Sequence, residues 1–496
     1  MIQTEIAVLR FGLGARPGDL AAAAGDPRAW LRTQIKGAVP LAGNTPLAAS
    51  DQIFTELLSA RDKFQEMKRE AAAQPSTDPQ SSAGPQSSPD PKAAAAPAFN
   101  PVRDAYLPHY RAQVLARAQS AALTTRPFAE RLVHFWTNHF AVSADKAAVY
   151  GVAGTLENEA IRPHVGGRFA DLLTAVEQHP AMIAFLDNQY SVGKDSDLAR
   201  LAARRAEARP FARRRMDAQD KPRREFGINE NLAREILELH TLGVNGGYTQ
   251  NDVTTFAQII TGWSIGGGKG RLAGGAPGRF YFRDNLHEPG AKTFMGKTYH
   301  ESGQRQGEAV LADLARQRAT ARFIATKLVR HFVADDPPPA AVERVAHAFL
   351  KGGGDLPTVY AALIEAPEAW DADMRKFKTP EDFVFSTWRA LDVSPRQPEE
   401  VLHSFDLLGQ RQYTPGSPAG WPDTSKSWDG SDALMHRVLW ASRVAGRYEQ
   451  GVDPVDLAAS SLGAYVRPET VTALRRASSS TQALALLLMS PEFQRR

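Results

Sequence analysis

The sequence contains no cysteine among its 496 residues. Without thiols the chain cannot form a disulfide, use a thiolate nucleophile, or hold zinc or iron–sulfur clusters through cysteine. A metal ion would have to bind histidine, aspartate, glutamate, asparagine or backbone oxygen. The missing cysteine does not indicate a compartment, because a chain without thiols tolerates oxidising and reducing surroundings alike.

Long apolar runs are also missing, and none reaches the roughly 18–20 residues that a membrane-spanning helix requires. The opening stretch, MIQTEIAVLRFGLGARPGDL, has Glu5 before a short apolar run and Arg10 directly after it. This arrangement is not typical of a secretory leader or a twin-arginine signal. We therefore expect no membrane span and no signal peptide in this chain, and a cytoplasmic location by default.

The positive charge is concentrated in one segment. The whole chain has a net charge of +4, whereas Lys194–Glu225 holds eleven basic and six acidic residues, a surplus of five positive charges. Two interpretations remain open: a solvated mobile arm, or an arm that docks an anionic partner such as an acidic polymer. Phe211 is the only aromatic residue in the segment, which argues against base stacking and against nucleic acid as the partner.

Composition also marks a second segment outside the core. Gln74–Ala98 is rich in Pro, Ser, Gln and Ala and almost lacks large apolar side chains, which predicts a disordered linker. The resulting division is an N-terminal helical segment (1–73), the linker (74–98), a first part of the helical core (99–193), a flexible basic insertion (194–228), and a second core part with C-terminal helices (229–496).

The remaining sequence predicts an all-α fold. Apolar residues recur at three- and four-residue steps in stretches such as AERLVHFWTNHFAV and TARFIATKLVRHFV. Thr379-Pro380-Glu381-Asp382 combines a cap residue, a proline at the first helical position and an acid at the third. Strand signals are few, and only residues 278–300 alternate well enough to form a small β-hairpin.

The stretch NENLAREILELHTLGVNGGYTQND, from Asn229 to Asp252, carries the densest polar pattern in the chain. On a helix, one side is formed by Leu232, Ile236, Leu239 and Leu242, and the other by Asn231, Arg234, Glu235, Glu238 and Thr241, with Leu237 and His240 on the flank. Asp252 fits a capping box with Thr249 for the following helix.

The best partner for this helix is RLVHFWTNHF, residues 131–140, which carries Arg131, His134 and Asn138 as one stripe together with His139. If the helices at 126–141 and 229–243 face each other, their carboxylates and imidazoles would form an acid/base or divalent-metal centre. Glu235 or Glu238 would be the base, His139 the acid, Arg234 an anion clamp, and Asn138 and Asn231 orienting groups. The metal ligands would be His139, Glu235, Glu238 and His240.

A purely structural role also stays open for each of these residues. The polar side of the 229–243 helix is also typical of a solvated surface with ordinary ion pairs or of a buried structural network. A histidine between Phe and Trp is more often a core residue than a ligand. Haem is not expected, because a peroxidase-like distal site needs an arginine where position 135 is Phe. Trp421 and Trp428 either anchor a loop rich in Gly and Pro or bind a sugar face.

Taken together, these motifs resemble the bacterial family catalogued as domain of unknown function 1800. The matching pieces include LRFGLGARPGD, RLVHFWTNHFAVS, NENLAREILELHTLGVNGGYTQNDV, ITGWS and KTPEDFVFSTWRAL, spread along almost the whole chain. The positions on that pattern are Asn138, His139, Asn188, Asn229, Glu230, Asn231, Arg234, Glu235, Glu238, His287 and Trp421. The sequence departs from it at HEPGAK, where Glu288 stands in place of the family's usual aspartate.

The resemblance implies a helical fold, but it supplies no reaction. It also implies a sulfatase-like partner from the family catalogued as domain of unknown function 1501, and a periplasmic location if the two are exported together. We expect an enzyme-like polar or metal centre between the two helices, hydrolytic on a polymer or cell-envelope substrate. The alternative is a non-catalytic binding or scaffold protein that works with the sulfatase-like partner.

Overall fold

The computed structural model describes residues 2–73, 101–207, 227–268, 270, 273–448 and 451–496. The predicted linker at 74–98 lies outside these residues, as does most of the second half of the basic segment, from 208 to 226. The described part is predominantly helical, which confirms the predicted fold class.

Short helices and a few long ones form the first half of the chain. The α-helices are Ile2–Glu5, Asp19–Ala23, Pro27–Arg32, Ser50–Ala73, Pro101–Leu123, Pro127–His139, Ala153–Thr155, Arg162–His164, Phe169–Glu177, Pro180–Phe185, Asp197–Glu207, Asn231–Glu235 and Gln250–Ile259. Three π-helical segments interrupt or extend them: Ile6–Phe11, Leu156–Ile161 and Ile236–His240.

The second half is a succession of helices of 9 to 18 residues. They are Gln304–Leu314, Arg318–Phe332, Pro339–Lys351, Leu356–Ile364, Pro380–Ala390, Pro398–Leu408, Ser431–Tyr448, Pro454–Leu462, Pro468–Arg476 and Ser480–Leu488. Short 3-10 turns lie at Asn188–Tyr190, Asp284–Leu286, Pro367–Trp370, Ser425–Ser427 and Gly463–Tyr465.

The β-structure consists of two antiparallel pairs of three-residue strands. Lys292–Phe294 pairs with Lys297–Tyr299, which is a small hairpin within the predicted range. Phe280–Phe282 does not join that hairpin and pairs instead with Trp263–Ile265. Phe280–Phe282 pairs with Trp263–Ile265 because Trp263 and Ser264 are buried. In this position the strand at 280–282 covers an inner strand, whereas pairing with the hairpin would only extend an exposed one.

Local sequence explains where several helices begin. Thr379 caps the Pro380–Ala390 helix by accepting a hydrogen bond from the Asp382 amide, as its sequence predicts. Thr249 and Asp252 form the predicted reciprocal capping box of the Gln250–Ile259 helix. Because these caps fix the first turn, they also fix where the acidic side chains of that turn point.

One cluster of buried apolar side chains runs through the described chain, from Ile6 to Phe493. The Pro127–His139 helix lies within it, with Phe128, Trp136 and most other side chains buried. A helix that is surrounded in this way presents different polar groups to different neighbours. Its two polar sides define the two candidate sites.

Within the described residues, no helix combines the length and apolar character needed to cross a bilayer.

Candidate functional site

The first side of the Pro127–His139 helix meets the 229–243 segment, as the sequence predicts. His139 is buried, and its Nε2 lies 3.2 Å from the carbonyl oxygen of His240. Phe135, Trp136 and Phe140 pack around the His139 ring. Burial in this aromatic surrounding, with Lys327 nearby, lowers the pKa of His139 well below its ordinary value, so its imidazole is neutral.

A buried carboxylate that the sequence did not indicate completes this side. Glu177, at the end of the Phe169–Glu177 helix, has its Oε1 2.8 Å from Nδ1 of His240, and both side chains are fully enclosed. Three atoms of this cluster, Glu177 Oε2, His240 Nε2 and His139 Nδ1, are buried without a hydrogen-bond partner. We call Glu177, His240 and His139 the inner cluster.

The predicted acidic residues lie further out, towards the surface. Arg234 forms ion pairs with Glu230 at 3.0 Å and with Glu238 at 3.6 Å, one turn away on either side. Glu235 is half-buried, and this burial raises its pKa above the ordinary value. Asn231 is exposed, and its amide donates to the Asn229 side chain as part of the helix start.

The inner cluster and the outer acids do not converge on one point. Among the described residues, no hydrogen bond or ion pair joins Glu235 or Glu238 to His139, and no three His, Asp or Glu side chains are arranged to hold a metal ion. His240 faces inwards with the buried Ile236 and Leu237 of the π-helical segment Ile236–His240, whereas Glu235 and Glu238 stay partly exposed. The ligand role of His139, Glu235, Glu238 and His240 stays a prediction.

The second side of the Pro127–His139 helix borders a solvent-connected cleft. Two adjoining cavities, of about 40 Å³ and about 30 Å³, share Asn138, Glu381, Gln410 and Trp421 in their walls. The inner cavity is also lined by Arg131, His134, His331, Asp382 and Asp423, and the outer one by Arg117, Thr137, Gln412 and Tyr413. We call the two cavities together the Trp421 cleft.

Asn138 holds the loop that closes the cleft. Its side-chain amide donates to the Trp421 carbonyl at 2.9 Å, and its side-chain carbonyl accepts from the Trp421 amide at 2.7 Å. Gly420 has φ +85°, and a Cβ there would lie 2.3 Å from the Asn138 backbone oxygen, so only glycine permits this approach. Trp428 anchors the same loop through its ring N–H to the Pro422 carbonyl.

Replacing Asn138 by alanine is therefore expected to free the loop. Two hydrogen bonds to the Trp421 backbone are lost, which lowers the free energy of unfolding by about 1–3 kcal/mol and speeds amide exchange in residues 409–430. Hydrogen–deuterium exchange with a denaturant titration measures both effects. Asn231→Ala, at an exposed position, is the matched control and should leave exchange in this loop unchanged. Equal exchange in both variants would contradict the clamp.

Glu381 is the carboxylate that both cavities share. Its Oε1 accepts from Arg117 at 2.6 Å and 3.1 Å, and its amide N–H donates to Gln410 at 2.9 Å. Within the described chain its Oε2 accepts no hydrogen bond, and it belongs to a side chain that lines the cleft. One oxygen is thus fixed and the other remains free for a ligand.

His134 is the imidazole of the inner cavity that keeps a free nitrogen. Its side chain is 5% exposed, and its Nε2 makes no hydrogen bond, with Glu130 Oε1 nearest at 3.6 Å. An unpartnered polar atom in a buried position is costly, and the Glu130 carboxylate is the charged group closest to this nitrogen. Glu381 and His134 line the same cavity.

A network of ion pairs forms the floor of the cleft. Asp382 pairs with Arg131 at 3.1 Å and with Arg496 at 2.8 Å. The Asp423 carboxylate accepts a hydrogen bond from His331 Nδ1 at 2.9 Å and forms an ion pair with Lys376 at 3.6 Å. Although burial favours the neutral acids, these cations hold the pKa of Asp382 and of Asp423 well below the ordinary range, so both are ionised at neutral pH.

His331 connects the two halves of this floor. Its Nδ1 donates to Asp423, and its Nε2 accepts from Arg131 Nε at 3.2 Å, which fixes the neutral tautomer. Burial lowers the pKa of His331 to about 4. Both ring nitrogens are occupied, so His331 orders the floor and His134 is the imidazole available to a ligand.

The low pKa of His331 predicts that stability falls in mild acid. Because the unfolded histidine takes up a proton near pH 6.5 and the folded one only near pH 4, stability is complete above pH 6.5 and is lost as the pH falls towards 4. The loss attributable to this group is about 3 kcal/mol. His331→Gln should flatten this part of a plot of unfolding free energy against pH; an unchanged slope would contradict the neutral buried imidazole.

A family model described as "Protein of unknown function (DUF1800)" matches residues 6–495. The chain belongs to the DUF1800 family. No curated protein and no solved structure matches it.

Other positions that carry the DUF1800 pattern hold the backbone. Asn188 is buried and donates to the carbonyls of Ile260 and Trp263. His287 contacts Thr261 at 3.0 Å and Glu301 at 3.2 Å. Glu288 accepts a hydrogen bond from the Asp195 amide at 2.8 Å and so orders the start of the basic segment.

Among the residues that line the cleft of this DUF1800 chain, the sequence patterns single out Asn138 and Trp421 but not Glu381. Glu381 was explained as part of a helix start, because Thr379-Pro380-Glu381-Asp382 is a capping pattern. Arg117 and Glu177 carried no local signal at all. The contacts that define them join residues 264 and 63 positions apart, which no periodicity records.

Proposed function

We propose that this protein is a hydrolytic enzyme whose active site is the Trp421 cleft. The observation that carries the proposal is the pairing of a carboxylate that has one fixed and one free oxygen, Glu381, with an unpartnered buried imidazole, His134, in the wall of one cavity. Groups of this kind are what general acid/base catalysis requires.

The size of the cleft favours a water molecule as the reactant held inside it. Cavities of about 40 Å³ and about 30 Å³ admit water or one small substituent, not a whole sugar ring or peptide. Glu381 Oε2 would accept a proton from that water while His134 orients it. The ionised Asp382 and Asp423 would stabilise positive charge that develops on the substrate during bond cleavage.

The wall of the cleft favours a polyhydroxylated substrate. Trp421 is partly exposed beside Asn138, Gln410 and Gln412, which combines an aromatic face with amide groups. Aromatic faces pack against the C–H surface of sugars, and amides exchange hydrogen bonds with hydroxyls. We therefore assign the substrate to the carbohydrate polymers, of which the glycans of the cell envelope are one source.

Hydrolysis of purified envelope polysaccharides tests this function through the appearance of new reducing ends. The wild-type protein should release them, and Trp421→Ala should raise KM more than it lowers kcat, because the indole binds the substrate and takes no part in the chemistry. A full panel of glycans without reducing-end release, together with no effect of these glycans on Tm, would contradict the proposal.

The inner cluster supports a second candidate site on the other side of the same helix. Glu177 and His240 form a buried acid–imidazole pair, and Glu235 nearby has a raised pKa, which is typical of groups placed for proton transfer. At this second site, Glu235 and Glu238 would be the acid/base groups and Arg234 would bind an anionic substituent of the substrate. A divalent metal held by His139 and His240 remains a prediction. Stoichiometric metal in untagged protein, lost in His240→Ala, would favour it.

The non-catalytic alternative keeps its own tests. A binding or scaffold protein would bind an anionic partner through the basic segment Lys194–Glu225. It would also form a complex with a partner from the sulfatase-like family. Deleting residues 208–226, outside the described part of the chain, should then reduce capture of an acidic polymer in a salt-dependent way. Binding that is unchanged at low salt would remove this role.

A further inference from the structure

The Ser431–Tyr448 helix exposes an apolar stripe that nothing in the described chain covers. Leu434, Met435, Val438 and Leu439 are 37%, 58%, 42% and 45% exposed. They are four of the twelve large apolar residues that the described chain exposes, and they fall within six consecutive positions. Clustering of this kind marks an interaction surface, whereas single exposed apolar residues are ordinary.

The stripe is one face of a two-faced helix. The neighbouring face, with Arg437, Trp440, Ala441, Val444 and Ala445, is buried against the protein. At 100° per residue, Leu434, Met435, Val438 and Leu439 occupy an adjoining sector, and Ser431, Ser442 and Gly446 continue it with small side chains. Small residues at both ends would allow another helix to approach closely along the whole stripe.

Charges beside the stripe are arranged with opposite signs at its two ends. Asp432 lies before the apolar residues with its side chain 90% exposed, and its nearest charged partner is His436 at 3.8 Å. Arg443 lies after them, is exposed, and forms no ion pair with a described residue. Both side chains fall on the same flank of the helix, about 20° apart around its axis.

This pattern is self-complementary under a two-fold axis. When two copies of the helix pack antiparallel about a two-fold axis, the flank with Asp432 and Arg443 lies on the same side of the interface in both copies. The two helices run in opposite directions. The midpoint between Asp432 and Arg443 lies between positions 437 and 438, inside the stripe. Each Asp432 therefore comes opposite Arg443 of the second copy, while the apolar residues meet at the centre.

We propose that the Leu434–Leu439 stripe is the interface of a homodimer, formed by antiparallel packing of two Ser431–Tyr448 helices. The charge arrangement selects a second copy over an unrelated apolar partner, because the stripe supplies both the acid and the base that its own dimer needs. The neighbouring Ser480–Leu488 helix also exposes Leu486, at 41%, as a further apolar group. This inference is independent of the proposed function.

Sedimentation equilibrium or light scattering of the full chain gives the first test. The wild-type protein should have twice the monomer mass at micromolar concentration, and Met435→Glu with Leu439→Glu should reduce it to the monomer with an unchanged far-ultraviolet circular dichroism spectrum. Leu350→Glu, at a residue that is 37% exposed on another helix, is the matched control and should remain dimeric. A wild-type monomer at all concentrations overturns the proposal.

Charge reversal tests the antiparallel arrangement itself. Asp432→Arg alone and Arg443→Asp alone should each weaken the dimer at least tenfold, because like charges then meet on both sides of the axis. The two changes together should restore the dissociation constant to near the wild-type value. A dimer that both single variants leave intact, or that the double variant fails to restore, would overturn this pairing.

Discussion

Replacing Arg162 by methionine is expected to lower the free energy of unfolding by about 3–5 kcal/mol. Arg162 is 3% exposed and binds two buried carboxylates: Glu130 at 2.7 Å and 2.9 Å, and Glu157 at 2.7 Å and 3.1 Å. Arg117 also pairs with Glu157, but no other arginine among the described residues forms an ion pair with Glu130. The variant would leave the Glu130 carboxylate buried with only the distant His134 ring.

Denaturant titration measures this loss, and a second substitution separates charge from packing. Glu130→Gln with Arg162→Met removes the uncompensated charge and should recover part of the stability. Arg322→Met is the matched control, because Arg322 and its partner Glu343 are 65% and 61% exposed and their ion pair contributes about 0–1 kcal/mol. A loss below about 1 kcal/mol in Arg162→Met would show that the network is dispensable.

Replacing Glu381 by glutamine is expected to reduce kcat by about 10²–10⁴-fold. Glutamine keeps the size of the side chain and can still meet Arg117, but its amide cannot accept a proton from water. The loss should therefore fall on kcat and not on KM.

Glu399→Gln provides the control for this experiment. Glu399 is also paired to an arginine, Arg111 at 3.4 Å, but its side chain is 46% exposed and it lines neither cavity. It should keep wild-type turnover. A Glu381→Gln protein that folds and retains wild-type kcat would show that the carboxylate serves only to pair with Arg117.

Much of the fold could be predicted because its signals are local. The capping patterns at Thr249 and Thr379 and the apolar periodicity fix where helices begin and which sides they bury. The meeting of the Pro127–His139 helix with the 229–243 segment was also predictable, since both carry a polar side beside an apolar one. His139 Nε2 lies 3.2 Å from the His240 carbonyl at this contact, while the predicted roles of the acidic side chains stay a prediction.

The candidate site was harder to predict, for two physical reasons. A helix wheel assumes a constant turn, whereas Ile236–His240 is π-helical, and Leu239, which the wheel assigns to the apolar side, is only partly buried there. The wheel also gives no partner for a polar group: Asn138 and His134 could have faced either neighbour, and only the long-range contact with Trp421 places them at the cleft. Contacts over hundreds of positions depend on the whole fold.

The most direct test compares one acid, Glu381, with a pair of acids, Glu235 and Glu238, under one assay. Reducing-end release from envelope glycans is measured with the wild-type protein, with Glu381→Gln, and with Glu235→Gln combined with Glu238→Gln. If the Trp421 cleft is the active site, Glu381→Gln loses at least 100-fold in kcat, and the double variant stays close to the wild type. Loss of activity in the double variant with full activity in Glu381→Gln would contradict the account and move the site to the other side of the Pro127–His139 helix.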